Sequence, residues 1–441
     1  MKKILFLLML VTLTLNFKMN LLNSSAFFNN FQFDGESMVI GRLINTQRNG
    51  FCQDAGLLGW MYPDSASAYT NKFWYQYDTY RNDSYHYDSF QTYDSQAGGQ
   101  AFLYGLFCKI TGLKGETVLQ VFWWLVSLST ALLFALFIFW VQRRWGWATA
   151  LFVFLSICFS QWVTAFGRNL FWVLGVFYLP FVAALWYLQK YEQTAKHPYR
   201  VIFWLMYSTM LLKCLLTGFE FITTTSVMAV TPWVFYAVME RWSWKKFLKR
   251  AVTASAGVAA AIVSNIVLLA VQLSFLKGSL GEGFGYIFWS FRKRSYGGKD
   301  VFAHEFVESC NSSLWDVLVS YFNSYAVNIT HWFDFPFWKM TARVSFGYCI
   351  ALFAVVSFFV FSSTAIRQYP SFRRQQIALT AMLWVSFLAP LSWLVIFKGH
   401  AYVHLHMDPI VWHQPFLLLG AALTGSMLWF FFKTNRKNNP H

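Results

Sequence analysis

The chain has 441 residues, 57% of them hydrophobic and only 12% charged, where soluble domains carry about 25% charged residues. With a mean hydropathy of +0.40, it has too little polar surface for a water-soluble fold, and a polytopic membrane protein is the class that remains. The formal net charge of +16 would suit nucleic acid, but in such a chain basic residues are first tested against the positive-inside rule.

The chain opens with Met1, Lys2 and Lys3 before the apolar run Ile4 to Leu15, the layout of a signal peptide. No small-x-small cleavage pattern precedes Asn23 and apolar residues continue to Leu22, so a retained first span over Ile4 to Leu22 is expected, with Lys18 reaching outward. Immediately beyond it come two carboxylates, Asp34 and Glu36, separated by Gly35. Acids at this place would stand at a membrane surface, where a general base can meet both a membrane-bound donor and a water-borne acceptor. The competing reading is ordinary helix capping, with Asp34 as the N-cap and Glu36 in the first turn.

The first outer segment, residues 23–117, continues with an aromatic tract. Tyr69, Trp74, Tyr75, Tyr77, Tyr80, Tyr85, Tyr87 and Tyr93 are interleaved with Asp78, Asp83, Asp88 and Asp94. Rings with polar tips beside carboxylates suit sugar faces and hydroxyls, although an interfacial aromatic belt has the same composition. Acceptor-binding candidates are Tyr77, Tyr80, Tyr93 and Gln96. The run Ala101 to Ile110 is too short to span and is expected to lie in the interface.

Nine further spans are expected from windows of about twenty apolar residues. They are Val118 to Val141, Trp147 to Val163, Leu170 to Leu188, Val201 to Gly218, Phe221 to Met239, Ala251 to Leu276, Ser345 to Phe361, Ile377 to Phe397 and Trp412 to Phe432. With the N-terminus inside, the inner segments carry eighteen Lys and Arg against two acids, Glu192 and Glu240. The whole net charge therefore falls on one side, which reports orientation and anionic headgroups and makes no case for nucleic acid. The expected fold is an all-α polytopic membrane protein, residues 1–441 forming one transmembrane domain of about ten helices. Two large extracytoplasmic loops with interfacial helices, 23–117 and 277–344, are joined by a histidine-rich outer loop, 398–411.

Several cations stand where a phosphate could be held at the outer surface. Arg168 lies in a short link without an acid neighbour, and Arg292, Lys293, Arg294 and Lys299 follow the glycine-rich stretch 278–285. Lys213 and Glu220 lie at membrane depth, where charges pair or face a polar cavity; an ion pair and a donor-phosphate role for Lys213 are both open. The last outer loop gathers His400, His404, His406 and His413 with Lys398 and Asp408. Its histidines suit hydrogen bonding to phosphate or sugar; metal binding is the rival, but the spacing matches no zinc signature. Among six cysteines only Cys52, Cys108 and Cys310 fall outside the spans, too few for a disulfide framework. Sequons begin at Asn23, Asn82, Asn311 and Asn328.

A first span followed at once by an Asp-x-Glu motif (Asp34, Glu36), a large first outer loop, and the segment Tyr93-Asp-Ser-Gln96 together resemble the GT-C superfamily. These are integral membrane glycosyltransferases that use polyprenyl-phosphate-linked sugars. The resemblance implies a catalytic role for Asp34, with Glu36 second; for such a donor the cations and histidines above, Arg168, Lys213, Lys398, His400, His404 and His406, are the donor-phosphate candidates. The resemblance further implies a polyprenyl-phosphate-linked sugar as donor, a glycan, lipid or protein as acceptor, and membrane lipids as surroundings. A divalent metal is the one cofactor it admits. Location is expected in a bacterial cytoplasmic (inner) membrane with both termini cytoplasmic. Rival classes are a polysaccharide polymerase or ligase and a flippase; the latter would place polar groups at the midplane in paired repeats, and no repeat is visible.

Overall fold

A computed structural model describes residues 2–62, 72–82, 89–192, 198–296, 311–335, 338–339 and 341–438, with backbone alone for Lys2, Asp34, Lys72 and residues 334–335, 338–339 and 436–438. Tyr69, Asp83, Tyr85, Tyr87, Asp88, Lys196, Lys299 and Cys310 lie outside the described residues.

The described chain is overwhelmingly helical, with three two-stranded sheets confined to the two long segments between spans. Six helices are long and apolar enough to cross a membrane, and seven if one bent pair counts as a single span. The six are α5 (Gly115–Trp145), α9 (Tyr199–Thr217), α10 (Ile222–Met239), α11 (Trp244–Lys277), the stretch Pro370–Ile396, and Phe416–Asn435. The bent pair is α6 (Trp147–Cys158) with α7 (Gln161–Arg168), which meet at 71°. Ten full-length spans are therefore more than helix length and composition establish. The first helix, α1 (Lys2–Met19), has 18 residues and three lysines; α8 (Gly175–Lys190) has 16 residues; and the helix Phe346–Ser362 has 17.

The break between α6 and α7 organises one end of the bundle. A broken helix leaves carbonyls without amide partners, and in an apolar setting side chains must satisfy them. The Cys158 carbonyl accepts from Asn16 Nδ2 at 3.3 Å and from Asn23 Nδ2 at 3.2 Å, and both amides also donate to Thr164 Oγ1. Asn23 is thereby buried at 5% exposure, so its sequon presents no free amide. On the opposite side of the break, Ser160 Oγ caps α7 by accepting from Val163 N and lies 3.1 Å from His413 Nε2.

The helix α2 (Ser25–Asn49) corrects the capping reading. It begins nine residues before Asp34, so both acids lie in its interior and neither is an N-cap. Between them, Gly35 is required by packing: a Cβ there would meet Phe171 side-chain atoms at 3.0 Å. The rest of the first segment folds onto α2. Strand β1 (Leu58–Tyr62) pairs antiparallel with β2 (Ser89–Tyr93), Leu58 opposite Tyr93. The helix α3 (Lys72–Asn82) is hooked to β1 by Gln76, whose amide donates to Met61 O at 2.7 Å and accepts from Met61 N at 3.2 Å.

The expected interfacial helix is α4 (Gly99–Thr111). It buries Gln100, Ala101, Gly105 and Cys108 and leaves Phe102, Leu103, Leu106 and Ile110 exposed, an apolar outer face of helical period. After α11, the glycine-rich stretch is helical: Ser279 Oγ accepts from Glu282 N and starts α12 (Leu280–Arg294), which folds back along α11. Lys277 at the end of α11 pairs with Asp94 at 2.9 Å, and Gln272 Nε2 donates to Ala55 O and Ala97 O. These contacts fasten the segment between α1 and α5 to α11 and bring α12 beside β2.

Candidate functional site

Six separate pieces of chain meet around a cavity of about 470 Å³. Gly35 and Met38 of α2, Trp60, Thr92 and Tyr93 of the hairpin, and Phe171 and Trp172 of the α7–α8 link form one wall. Glu220, from the α9–α10 turn, closes its base. The opposite wall is Trp289, Ser290, Lys293 and Arg294 of α12, with His400 and His404 from the C-terminal part of the chain. The last two walls are joined by backbone. Gly399 N donates to Ser295 O at 2.8 Å, and Tyr296 OH donates to Val395 O at 2.8 Å. A Cβ on Gly399 would meet that same Ser295 oxygen at 3.0 Å, so glycine allows the close approach.

The cavity is polar and cationic along one edge. Arg294 Nη2 donates to Tyr93 OH at 2.7 Å, and among the described residues its five-donor fork makes no other hydrogen bond. Burial pushes the Tyr93 hydroxyl up to about 12, so it stays protonated and neutral at physiological pH. Lys293 is lowered by burial and by the Arg294 charge beside it. The carboxylates are Asp94, held by Lys277, and Glu220, 8% exposed. His400 Nδ1 lies 3.2 Å from Asp408 Oδ2, which also accepts from Trp393 Nε1 at 2.7 Å. Burial drives His400 and His404 down to about 3 and Asp408 up to about 7, so desolvation leaves the imidazoles uncharged. The two imidazole rings are 4.2 Å apart, and His404 Nδ1 is buried with no partner among the described residues.

A second, apolar space of about 650 Å³ adjoins the first. It runs between Ile222, Ile266 and Leu269 of the spans and Phe284, Ile287 and Phe288 of α12. The two spaces share Asp94, Ser95, Ser290 and Arg294. The arrangement offers an apolar channel that ends at a guanidinium on the rim of a polar chamber.

The remaining sequence candidates lie elsewhere. Glu36 is fully buried and off the cavity wall. Its oxygens accept from Tyr77 OH at 2.6 Å, Leu170 N at 2.9 Å and Trp123 Nε1 at 3.2 Å. Burial raises this carboxyl, opposed by the Arg168 charge and the three donors. Its place is a knot tying α2, α3, α5 and the α7–α8 link together. Tyr77 belongs to that knot, Tyr80 is fully buried near Cys108, and Gln96 is 1% exposed; none of the three reaches the cavity. Asp34 follows Phe33 and precedes cavity-lining Gly35 in α2, and its side chain lies outside the described ones.

Arg168 does not join Arg294. Its guanidinium packs against the Phe28 and Trp123 rings, 4.8 and 4.6 Å from their centroids. Lys213 makes neither an ion pair with the Glu220 carboxylate nor a wall of the cavity. Its ammonium donates to the backbone carbonyls of Gly218 at 2.9 Å and Glu220 at 2.6 Å, satisfying the end of α9. Lys398 donates to Ser312 O at 2.7 Å, His406 is exposed, and His413 is buried against Ser160. The histidine cluster is thus two histidines on the cavity and two apart from it. Among the described residues no group of three His, Cys, Asp or Glu could hold a metal ion.

Glu220, Arg294 and Asp94 were noted in the sequence without a place in one chamber: as a charge at membrane depth, part of a basic run, and the acid of the Tyr-Asp-Ser-Gln segment. The wall residues Trp60, Phe171, Trp172 and Trp289 were not singled out at all. Comparison with protein-family models, curated proteins and solved structures finds no match to this chain.

Proposed function

We propose that this protein is an integral membrane glycosyltransferase of the GT-C kind that moves a sugar from a polyprenyl-phosphate donor to an acceptor hydroxyl on the extracytoplasmic face. The observation that carries the reading is the junction at Arg294. An amphiphile with a long apolar chain and an anionic head matches an apolar channel that opens on a guanidinium beside Lys293. The isoprenoid would lie between α12 and the spans and the phosphate against Arg294 and Lys293. The sugar would occupy the chamber framed by Trp60, Trp289 and Tyr93, where rings suit C–H faces. The shorter apolar helices α1, α8 and Phe346–Ser362 complete the ten-helix arrangement in this reading, with both termini cytoplasmic.

In the reaction a carboxylate takes the acceptor hydroxyl's proton, the acceptor oxygen bonds to the anomeric carbon, and the bond to the phosphate oxygen breaks. Arg294 stabilises the leaving phosphate, whose negative charge grows as the bond breaks. Asp34 is the base in this scheme, as the residue preceding the cavity wall at Gly35, and Glu36 holds the wall. Neutral His400 and His404 offer hydrogen bonds to sugar or phosphate oxygens.

The test is release of polyprenyl phosphate from labelled polyprenyl-phosphate sugar by the purified protein in lipid nanodiscs, with acceptors varied. Asp34→Asn is expected to lower the rate by about 10² to 10⁴, and Arg294→Gln to lower it while weakening donor binding. Donor left unconsumed with every acceptor class, or near-normal transfer by Asp34→Asn, sinks the respective claim.

A further inference from the structure

The opposite end of the bundle holds a second built site. A pocket of about 270 Å³ lies where the end of α5 meets the start of the helix Pro370–Ser386 and the last turns of Phe416–Asn438. Two of the residues that line it each keep a buried donor without a partner among the described residues, Arg144 Nε and Trp145 Nε1. Both side chains are buried, Trp145 at 7% exposure and Arg144 at 10%. The two terminal nitrogens of Arg144 donate to Glu192 and to Tyr236 OH, while Nε has no partner among the described residues. Lys433 adds an ammonium at the rim. Unmet buried donors are costly, and three N–H groups on one small volume call for an acceptor with several oxygens.

The pocket does not stand alone. Trp429 is common to it and to an apolar surface groove of about 430 Å³, formed by Ala148 and Phe152 of α6 and by Gly425, Leu428 and Phe432 of the last helix. We infer that this pair of spaces is a site for an anionic phospholipid, its phosphate on Arg144 Nε, Trp145 Nε1 and Lys433 and an acyl chain in the groove. Basic pockets between helices at the positively charged membrane face are where acidic headgroups gather. Arg143, Arg144, Arg373 and Lys433 mark that face here. The site is independent of the chamber at Arg294 and needs only that the chain spans a bilayer.

The experiment is native mass spectrometry and thermal melting of the full chain in detergent, titrated with phosphatidylglycerol, phosphatidylcholine or inorganic phosphate. Phosphatidylglycerol is expected to stay bound and raise the melting temperature, with phosphatidylcholine and inorganic phosphate giving little. Trp145→Phe, which keeps the ring and removes the N–H, and Lys433→Gln, at an exposed position, are each expected to weaken retention about ten- to a hundredfold, the worth of one charge-assisted hydrogen bond. Equal retention of the two lipids overturns the inference, as does undiminished phosphatidylglycerol binding by both variants. Saturation by inorganic phosphate with the same shift would make the pocket a site for a free anion and overturn the lipid assignment.

Discussion

Asp34 and Glu36 are two positions apart, and residues so spaced do not share a face of a helix. Their chemistry therefore divides. Glu36 has three donors and no access to the chamber, so it acts through the position of α2 and of Leu170. Glu36→Ala strands three buried donors and is expected to cost about 3 kcal/mol or more, read as a lower melting temperature in nanodiscs. Glu36→Gln keeps an acceptor oxygen and should recover much of that loss. A Glu36→Gln protein with wild-type melting and no sugar transfer would instead make Glu36 a reacting group. Lys213 and Lys398 teach a similar lesson: their ammonium groups are used on backbone carbonyls, at the end of α9 for Lys213 and at Ser312 for Lys398, whatever their charge suggests in a list of residues.

At the scale of elements, the chamber depends on close approach between pieces that are distant in sequence. Gly35 admits Phe171, and Gly399 admits the Ser295 carbonyl. Gly35→Ala is expected to cost about 1 to 2 kcal/mol through overpacking and to shift the α7–α8 link. Gly399→Val, which adds a branched side chain at that backbone contact, should separate α12 from the histidine segment. Its signature is a weaker hold on the lipid-linked donor with the bundle still folded; unchanged donor affinity in a protein that melts normally would remove Gly399 as a positioning residue. The break at residues 159–160 belongs to the same scale. Asn16, Asn23 and Ser160 cap its loose ends, and without them the Cys158 carbonyl and the Val163 amide at the 71° turn would lose their side-chain partners.

For the whole molecule, pH is the natural probe, because three histidines are buried in the neutral form. His400, His404 and His413 stand at about 3 in the fold, against an ordinary 6.5. The unfolded chain takes up these protons first, so their contribution to stability falls as the pH drops from 6.5 toward 3. Asp408 works the other way: raised to about 7, it binds a proton in the fold before it would in the unfolded chain, and stabilises as the pH falls below 7. Glu36, raised by burial, acts in the same sense as Asp408, and the three imidazoles outnumber the two carboxyls, which gives a net loss on acidification. Thermal melting in nanodiscs is expected to fall between pH 7 and pH 5, with His413→Gln reducing the slope. A melting temperature that rises over that interval would refute the assignment of buried neutral imidazoles.

Composition alone pointed to a membrane protein, and six of its ten apolar windows correspond to helices long and apolar enough to cross a membrane. Hydrophobic length is a local property, so it can be read along a line. The acidic motif, the Tyr-Asp-Ser-Gln segment, the basic run at 292–294 and the histidine-rich loop were likewise visible as chemistry. Which of their members face one another was not, because a side chain's partners are set by helix phase and by backbone contacts across 130 residues or more, as between Glu36 and Leu170. Only the packed structure could turn Glu36, Lys213 and His413 inward as fasteners and bring Tyr93, Glu220, Arg294 and His400 to a single chamber.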